Sequence, residues 1–368
     1  MPNGSIDPAF DYVAQFSADS GKEWPTMVAA QADAFAVQDL LLKTLRQFTS
    51  DDVDVVVFGS LARREWTSGS DVDWTMLVDG QADTQHRVAA REIEMTLAEM
   101  NYKDVSLKGP GAEGIFGNMA FSHEIVHHIG GQADTNRNTT QRVLLLLEAT
   151  SLRDSDDELG GSYARIVRQI LNRYLMSDSN FHSQPDDESR IPRFLMNDVV
   201  RYWRTMCVDF AYKDWDQGGK KWAIRNIKLR TSRKLLFVAG LLMVFSCYKN
   251  ESLLSDGANS GDYQMKLQKH LLNFVHSTPL NILVWTLREL GLDEPCRAFL
   301  CIYEEFLGQI NDKTVRDHLG ILSEEDVYTD AIFLKCREIS HRLQATLRSM
   351  CFEIDTPLRE FTCEYGVF

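Results

Sequence analysis

Apolar positions recur along this chain in two different rhythms. Residues 27–48 place Phe35, Val37, Leu40, Leu41 and Leu45 at helical spacing, which predicts an amphipathic helix. Val53–Phe58 is instead a β-branched run that ends at Gly59-Ser60, the pattern of a buried strand entering a tight turn. A second strand is expected over 72–78, a helix over 87–100, and further strands over 103–107 and 120–129. Gly109, Pro110, Gly111 and Gly114 mark a loop between these last two.

From Thr139 onward the rhythm is helical. Helices are expected over 142–151, 163–176, 194–212, 221–248, 263–275, 280–290, 297–310 and 327–352. Residues 177–190 are polar, contain Pro185 and read as a surface loop or domain joint. The pattern predicts an α+β fold: a catalytic core with a small mixed sheet and helices over 27–135, then a mostly helical domain over 136–368. The end of that domain, from about residue 353, is expected to be a flexible tail.

Composition narrows the partners. The chain has 368 residues, 44% hydrophobic and 25% charged, the balance of a globular protein. Its net charge of -14 argues against coating bulk nucleic acid, so nucleotides or short strands would need a local basic cleft. The seven cysteines include no Cys-x-x-Cys pair and read as reduced thiols of a cytoplasmic protein. Residues 1–10 lack a signal-peptide pattern, and the longest apolar run, 235–247, is too short to cross a bilayer. A cytoplasmic protein without direct membrane insertion is expected; its oligomeric state is open.

The candidate chemistry lies at 59–73, Gly-Ser-Leu-Ala-Arg-Arg-Glu-Trp-Thr-Ser-Gly-Ser-Asp-Val-Asp. Gly59 lets backbone approach a phosphate closely, and Ser60 would open a short helix whose unpaired amides favour a triphosphate. Arg63, in the same segment, is counted with these nucleotide-binding candidates. Asp71 and Asp73 alternate on an expected strand and project from one face. Two adjacent carboxylates repel unless divalent cations lie between them, and Mg2+ suits such oxygen donors, with Mn2+ able to substitute. A two-ion site of this kind activates an attacking hydroxyl and steadies a pyrophosphate leaving group.

Taken together, the strand, Gly-Ser, spacer, Ser-Asp-x-Asp and second strand resemble the signature of the DNA polymerase β-type nucleotidyltransferase superfamily. The resemblance implies a metal-dependent enzyme that moves a nucleotide from a nucleoside triphosphate to an acceptor hydroxyl. Members usually supply a third metal-binding carboxylate from a later strand. Glu124, in Phe-Ser-His-Glu-Ile-Val over 121–126, is the leading candidate, with Asp134 the alternative beyond Gly130-Gly131. His123 to His127 also matches His-Glu-x-x-His, a zinc-protease pattern that needs a helix. On the expected strand, Glu124 would face away from both histidines.

Further candidates flank this core. Residues 134–142 are rich in hydrogen-bonding side chains, read equally as a helix cap at Asn138 or Thr139 or as contacts to ribose or base. Lys220, Lys221, Arg225, Lys228, Arg230, Arg233 and Lys234 crowd one expected helix, with Lys221, Arg225 and Lys228 on one face. Either this is a solvated face, or it walls a triphosphate cleft. Tyr202, Trp203, Trp215 and Trp222 read as core residues in preference to base-stacking platforms.

The helical half, with Asn-Asp-Val-Val-Arg-Tyr-Trp at 197–203 and Lys-Trp-Ala-Ile-Arg at 221–225, is similar to that of bacterial anti-phage defence nucleotidyltransferases, and the whole chain to the Hailong type. That resemblance implies template-independent synthesis of short DNA oligomers from dATP or another dNTP or NTP, begun on a protein hydroxyl. It also implies binding of the oligonucleotide product and a membrane effector partner that the product holds silent. Tyr365, beside Gly366 near the chain end, is the candidate primer. The alternatives are a cyclic-oligonucleotide synthase, a toxin or regulator transferring one nucleotide to tRNA or protein, and a catalytically inactive scaffold.

Overall fold

The computed structural model describes residues 1–67, 69–107, 109, 117–153, 160–181, 191–216, 218–248, 250, 253 and 260–366. Most of the glycine-rich loop expected after residue 108 lies outside the described residues, as do 182–190 of the expected domain joint and Ser68 of the motif. The chain divides into two compact units, one of Val28–Ser179 and one combining Met1–Met27 with Asn180–Phe368. The first unit thus reaches well past the boundary expected at residue 135.

In chain order the elements begin with helices α1 (Tyr12–Ser20) and α2 (Pro25–Leu45), strand β1 (Val53–Phe58), helix α3 (Gly59–Ala62) and strand β2 (Trp74–Val78). Helix α4 (Thr84–Glu99), strands β3 (Asn101–Tyr102), β4 (Val105–Ser106) and β5 (Met119–Phe121), helices α5 (Ser122–His127) and α6 (Asn136–Leu147), strand β6 (Ala149–Ser151) and helix α7 (Gly161–Phe181) follow. The remainder is helical: α8 (Arg193–Asp216), α9 (Trp222–Arg230), α10 (Ser232–Phe245), α11 (Ser260–Val275), α12 (Pro279–Glu289), α13 (Asp293–Asn311), α14 (Lys313–Ile321), α15 (Ala331–Arg348) and α16 (Pro357–Phe361). No helix among the described residues is long and apolar enough to cross a membrane.

Four strands form one mixed sheet in the order β5-β2-β1-β6. Strand β1 is antiparallel to β2 and to β6, while β5 runs parallel to β2. One face of β1 (Val53, Val55, Val57) and one of β2 (Trp74, Met76, Val78) join Ala34, Val37, Leu41 and Leu45 of α2 and Ala90, Ile93 and Leu97 of α4 in a single apolar core. On the other face, fully buried Asp54 pairs with Arg153 at 2.8 Å and accepts the Tyr163 N–H at 2.8 Å, which fixes α7 to β1. Within the other unit, α10 is buried along nearly its whole length, as its apolar sequence requires.

Three expectations are corrected. The strand expected over 103–107 is a two-stranded hairpin of β3 and β4, separate from the main sheet. The strand expected over 120–129 stops at Phe121, and His123, Glu124 and His127 lie on α5. Its β-branched residues Ile125 and Val126 are buried as a helical pair, so burial overrides their strand propensity. The helix expected over 221–248 is two helices, broken where Thr231 adopts φ -120, ψ -92 and its hydroxyl donates to the Ile227 carbonyl.

Candidate active site

The site is assembled where β1 ends. The Phe58 N–H donates to the Asp73 carbonyl at 2.9 Å, so the residues entering β2 lie beside the turn that leaves β1. Gly59 takes φ +68, a left-handed conformation that only glycine adopts without strain. A Cβ there would meet the Asp73 carboxylate at 2.8 Å. The missing side chain therefore leaves the space that this carboxylate occupies.

Around it, α3 is anchored from several directions. Leu61 and Ala62 are buried, and Gln38 of α2 donates to the Leu61 carbonyl at 2.8 Å. Arg64, at φ +60, lays its guanidinium over the Phe35 ring at 4.7 Å. Trp66 is sunk into the core at 1% exposure. The approach to the acids is a turn in which the Ser70 N–H donates to the Thr67 carbonyl at 2.8 Å and the two hydroxyls meet at 3.1 Å.

Asp71 and Asp73 flank Val72, which is buried at 1% exposure. Asp71 is exposed and Asp73 half-buried, so this extended segment inserts its valine and turns both acids away from the core. Ser60 is half-buried at the opening of α3. Thus Gly59, Ser60, Asp71 and Asp73 are gathered around the end of β1 by short local connections.

Other candidates are placed differently. Arg63 is 7% exposed and gripped by Glu65 at 2.9 Å and by Glu148, which immediately precedes β6. Its guanidinium is turned into the protein, so it ties α3 to β6 and is not available as an outward phosphate contact. Glu65 lies two residues away in sequence, whereas Glu148, the C-cap of α6, is brought in by the fold. Strand β5 itself carries no acid, being Met119, Ala120 and Phe121. Glu124 is exposed one helical turn later, with its backbone carbonyl accepting from Asn138 at 3.3 Å.

Asp134 is bound on both oxygens by Arg142, at 2.9 and 2.8 Å. Arg142, fully buried, also donates to the Tyr174 hydroxyl at 3.0 Å and the Ile125 carbonyl at 3.3 Å. The N-cap of α6 is Thr135, not Asn138 or Thr139, and Asn138 through Arg142 are all buried. Asn138 to Arg142 are thus turned inward at the joint between α5, α6 and α7, while Thr135, Asn136 and Arg137 stay exposed. The His123 and His127 rings lie 4.8 Å apart on α5, so the strand-based objection to a metal pair there does not hold. Even so, among the described residues no group of three or more His, Cys, Asp or Glu side chains is arranged to hold a metal.

The basic run of the other unit also departs from a single face. Lys221 precedes α9 with left-handed backbone, φ 59. Arg225 donates to the carbonyls of Lys213 and Lys220 at 3.2 and 2.7 Å, and so closes the turn that follows α8. Lys228 is half-buried. Lys234 bonds Gln344, and burial, then neighbouring Arg230, lowers its pKa. Tyr202 and Trp222 are core residues and Trp203 stacks on Phe237, whereas Trp215 is 81% exposed.

The tail is folded where a free end was expected. After α16 the chain continues as a wider helical turn over Thr362–Gly366. Tyr365 stacks on Phe361 at 6.0 Å, Arg193 lies 6.0 Å from its ring centre, and a Cβ on Gly366 would sit 3.6 Å from Phe245. Burial, reinforced by a hydrogen bond with Glu364, pushes the Tyr365 pKa up to about 12.

Strand β1, the glycine-opened turn and the acids entering β2 thus lie together in the first unit. Residues 39–112 match the nucleotidyltransferase domain family. The chain therefore carries a nucleotidyltransferase domain, whose matched span includes Gly59, Ser60, Asp71 and Asp73 and ends before β5. No curated protein sequence matches the chain.

Gly59→Ala tests this geometry. The left-handed backbone should cost about 1–2 kcal/mol of stability. The added methyl should displace the Asp73 carboxylate and lower turnover by at least about tenfold, read by a thermal melt and by pyrophosphate release.

Proposed function

We propose that the chain transfers a nucleotide from a nucleoside triphosphate to an acceptor hydroxyl at Asp71 and Asp73, in a metal-dependent, template-independent reaction. The supporting observation is the seating of the Asp73 carboxylate over a glycine that has no room for a side chain. Two outward carboxylates suit magnesium, which is held by one or two protein carboxylates together with substrate phosphates. When bound there, the metal supplies charge neutralisation for the triphosphate and acidifies the acceptor hydroxyl.

Ser60 at the opening of α3 is the proposed phosphate contact, with the amides of that first turn. The acceptor oxygen bonds to the α-phosphorus, the α–β bridging P–O bond breaks, and pyrophosphate departs with that electron pair. Glu124 is the proposed third carboxylate, taking the acceptor's proton. Its exposure supports it over Asp134, whose oxygens are held by Arg142. Within the other unit, Lys221, Lys228 and, with less of its charge available, Arg225 are proposed as phosphate-binding residues in their own right.

In its finer form the proposal is synthesis of short DNA oligomers on Tyr365, for anti-phage signalling to a membrane effector; it rests on the sequence likeness. Because Tyr365 is half-buried and its phenol resists ionisation, the tail must unpack before that hydroxyl can attack. Incubation with magnesium and each labelled NTP or dNTP, followed by a denaturing gel, separates the readings. Label on the protein marks self-priming, a released ring marks a cyclic synthase, and label that appears only with added tRNA or protein marks a regulator. Intact mass should rise by whole nucleotides with dATP, and Tyr365→Phe should abolish the increment. Wild-type labelling of that variant would place the primer elsewhere.

A further inference from the structure

Helix α8 ends in a face that the core does not use. Val208, Tyr212 and Trp215 are 69%, 57% and 81% exposed, and they recur at helical spacing along one side, with Arg204 and Ala211 also exposed there. The Tyr212 and Trp215 rings are 6.3 Å apart. A tryptophan this open is costly in water and calls for an occupant.

The chain just beyond this face is held in a tight turn. Gly218 and Gly219 adopt φ +57 and +76, and their N–H groups donate to the Trp215 and Asp214 carbonyls at 3.4 and 3.0 Å. Arg225 closes the same turn through the Lys213 and Lys220 carbonyls. Lys220 and Lys221, both exposed, are thereby fixed beside the end of α8. Residues 201–225 hold six basic and three acidic residues in a chain of net charge -14, and one of those acids, Asp209, is paired with Lys213 at 2.9 Å.

From this juxtaposition we propose that the outer face of α8, with Lys220 and Lys221, binds single-stranded nucleic acid. Bases stack on Trp215 and Tyr212, and the lysines meet the phosphates. Aromatic faces interleaved with cations match a single strand, whose bases are unpaired and whose backbone is anionic. An apolar protein partner fits less well, since Val208 and Ala211 are the aliphatic residues of this stripe and cations border it. The role of such a strand, as acceptor or product, rests on the transfer reaction proposed above; the binding itself does not.

The test is fluorescence anisotropy of an end-labelled dodecameric oligodeoxyadenylate titrated with the full chain in EDTA, which prevents turnover. Binding should quench tryptophan emission and weaken with salt. Trp215→Ala and Tyr212→Ala should each raise Kd about tenfold, and Trp215→Phe should restore most of the loss. A Lys220→Glu/Lys221→Glu pair should flatten the salt dependence. Asp71→Asn should bind like wild type, which separates this claim from catalysis. An unchanged Kd in the Tyr212→Ala/Trp215→Ala double variant would overturn the proposal. So would a dimer, seen by light scattering, that this double variant abolishes while the wild type binds no oligonucleotide.

Discussion

Asp71→Asn and Asp73→Asn should each lower nucleotide transfer by at least about a thousandfold, with the fold intact. Each change keeps side-chain shape and removes one negative oxygen donor. A metal that neutralises the leaving group is worth several kcal/mol of barrier, and each 1.4 kcal/mol is tenfold in rate. Val72, buried between the two acids, anchors the segment in either variant, so stability should not fall. Activity within tenfold of wild type in both variants would remove these acids from the chemistry.

The largest stability effect is expected at the buried pair of Arg142 and Asp134, whose side chains are 0% and 3% exposed. Arg142 joins three parts of the first unit: the loop before α6 through Asp134, α5 through the Ile125 carbonyl, and α7 through the Tyr174 hydroxyl. Removing one partner strands the other charge in the interior. Arg142→Met or Asp134→Asn should therefore cost about 3–5 kcal/mol in urea unfolding. The double change Arg142→Met/Asp134→Leu should recover much of that loss. An Asp134→Asn protein that stays fully stable yet loses transfer would instead return Asp134 to the reaction.

The fold was legible where local pattern and tertiary role agree. Val53–Phe58 reads as a buried strand because both of its faces are covered, and α2 reads as a helix because Val37, Leu41 and Leu45 line its buried side. Gly59 and the acids two residues apart were legible for the same reason: their spacing sets their geometry. Strand β6 was not: its three residues fall inside the helix expected over 142–151, which in the structure ends at Leu147. That misplaced end hid Glu148, and with it the inward pairing that occupies Arg63.

Burial misled in the other direction around Ile125 and Val126, whose branched side chains suggest a strand but pack as part of α5. Within the polar run 134–142, which reads equally as a helix cap or as contacts to ribose or base, the sequence does not reveal that Asn138 and Arg142 find their partners inside, at Tyr174 and the carbonyls of α5. Trp215 shows the converse. Tyr202, Trp203 and Trp222 are packed, and no local pattern separates them from Trp215.

The most direct measurement uses a triphosphate labelled separately at the α and γ phosphates, with magnesium or with EDTA. The account predicts that α-label is incorporated into acceptor, that γ-label leaves as pyrophosphate in equal amount, and that EDTA or the Asp71→Asn/Asp73→Asn double variant stops both. Transfer of γ-label to an acceptor, or equal α-label incorporation by the double variant, would contradict nucleotidyl transfer at this pair of acids.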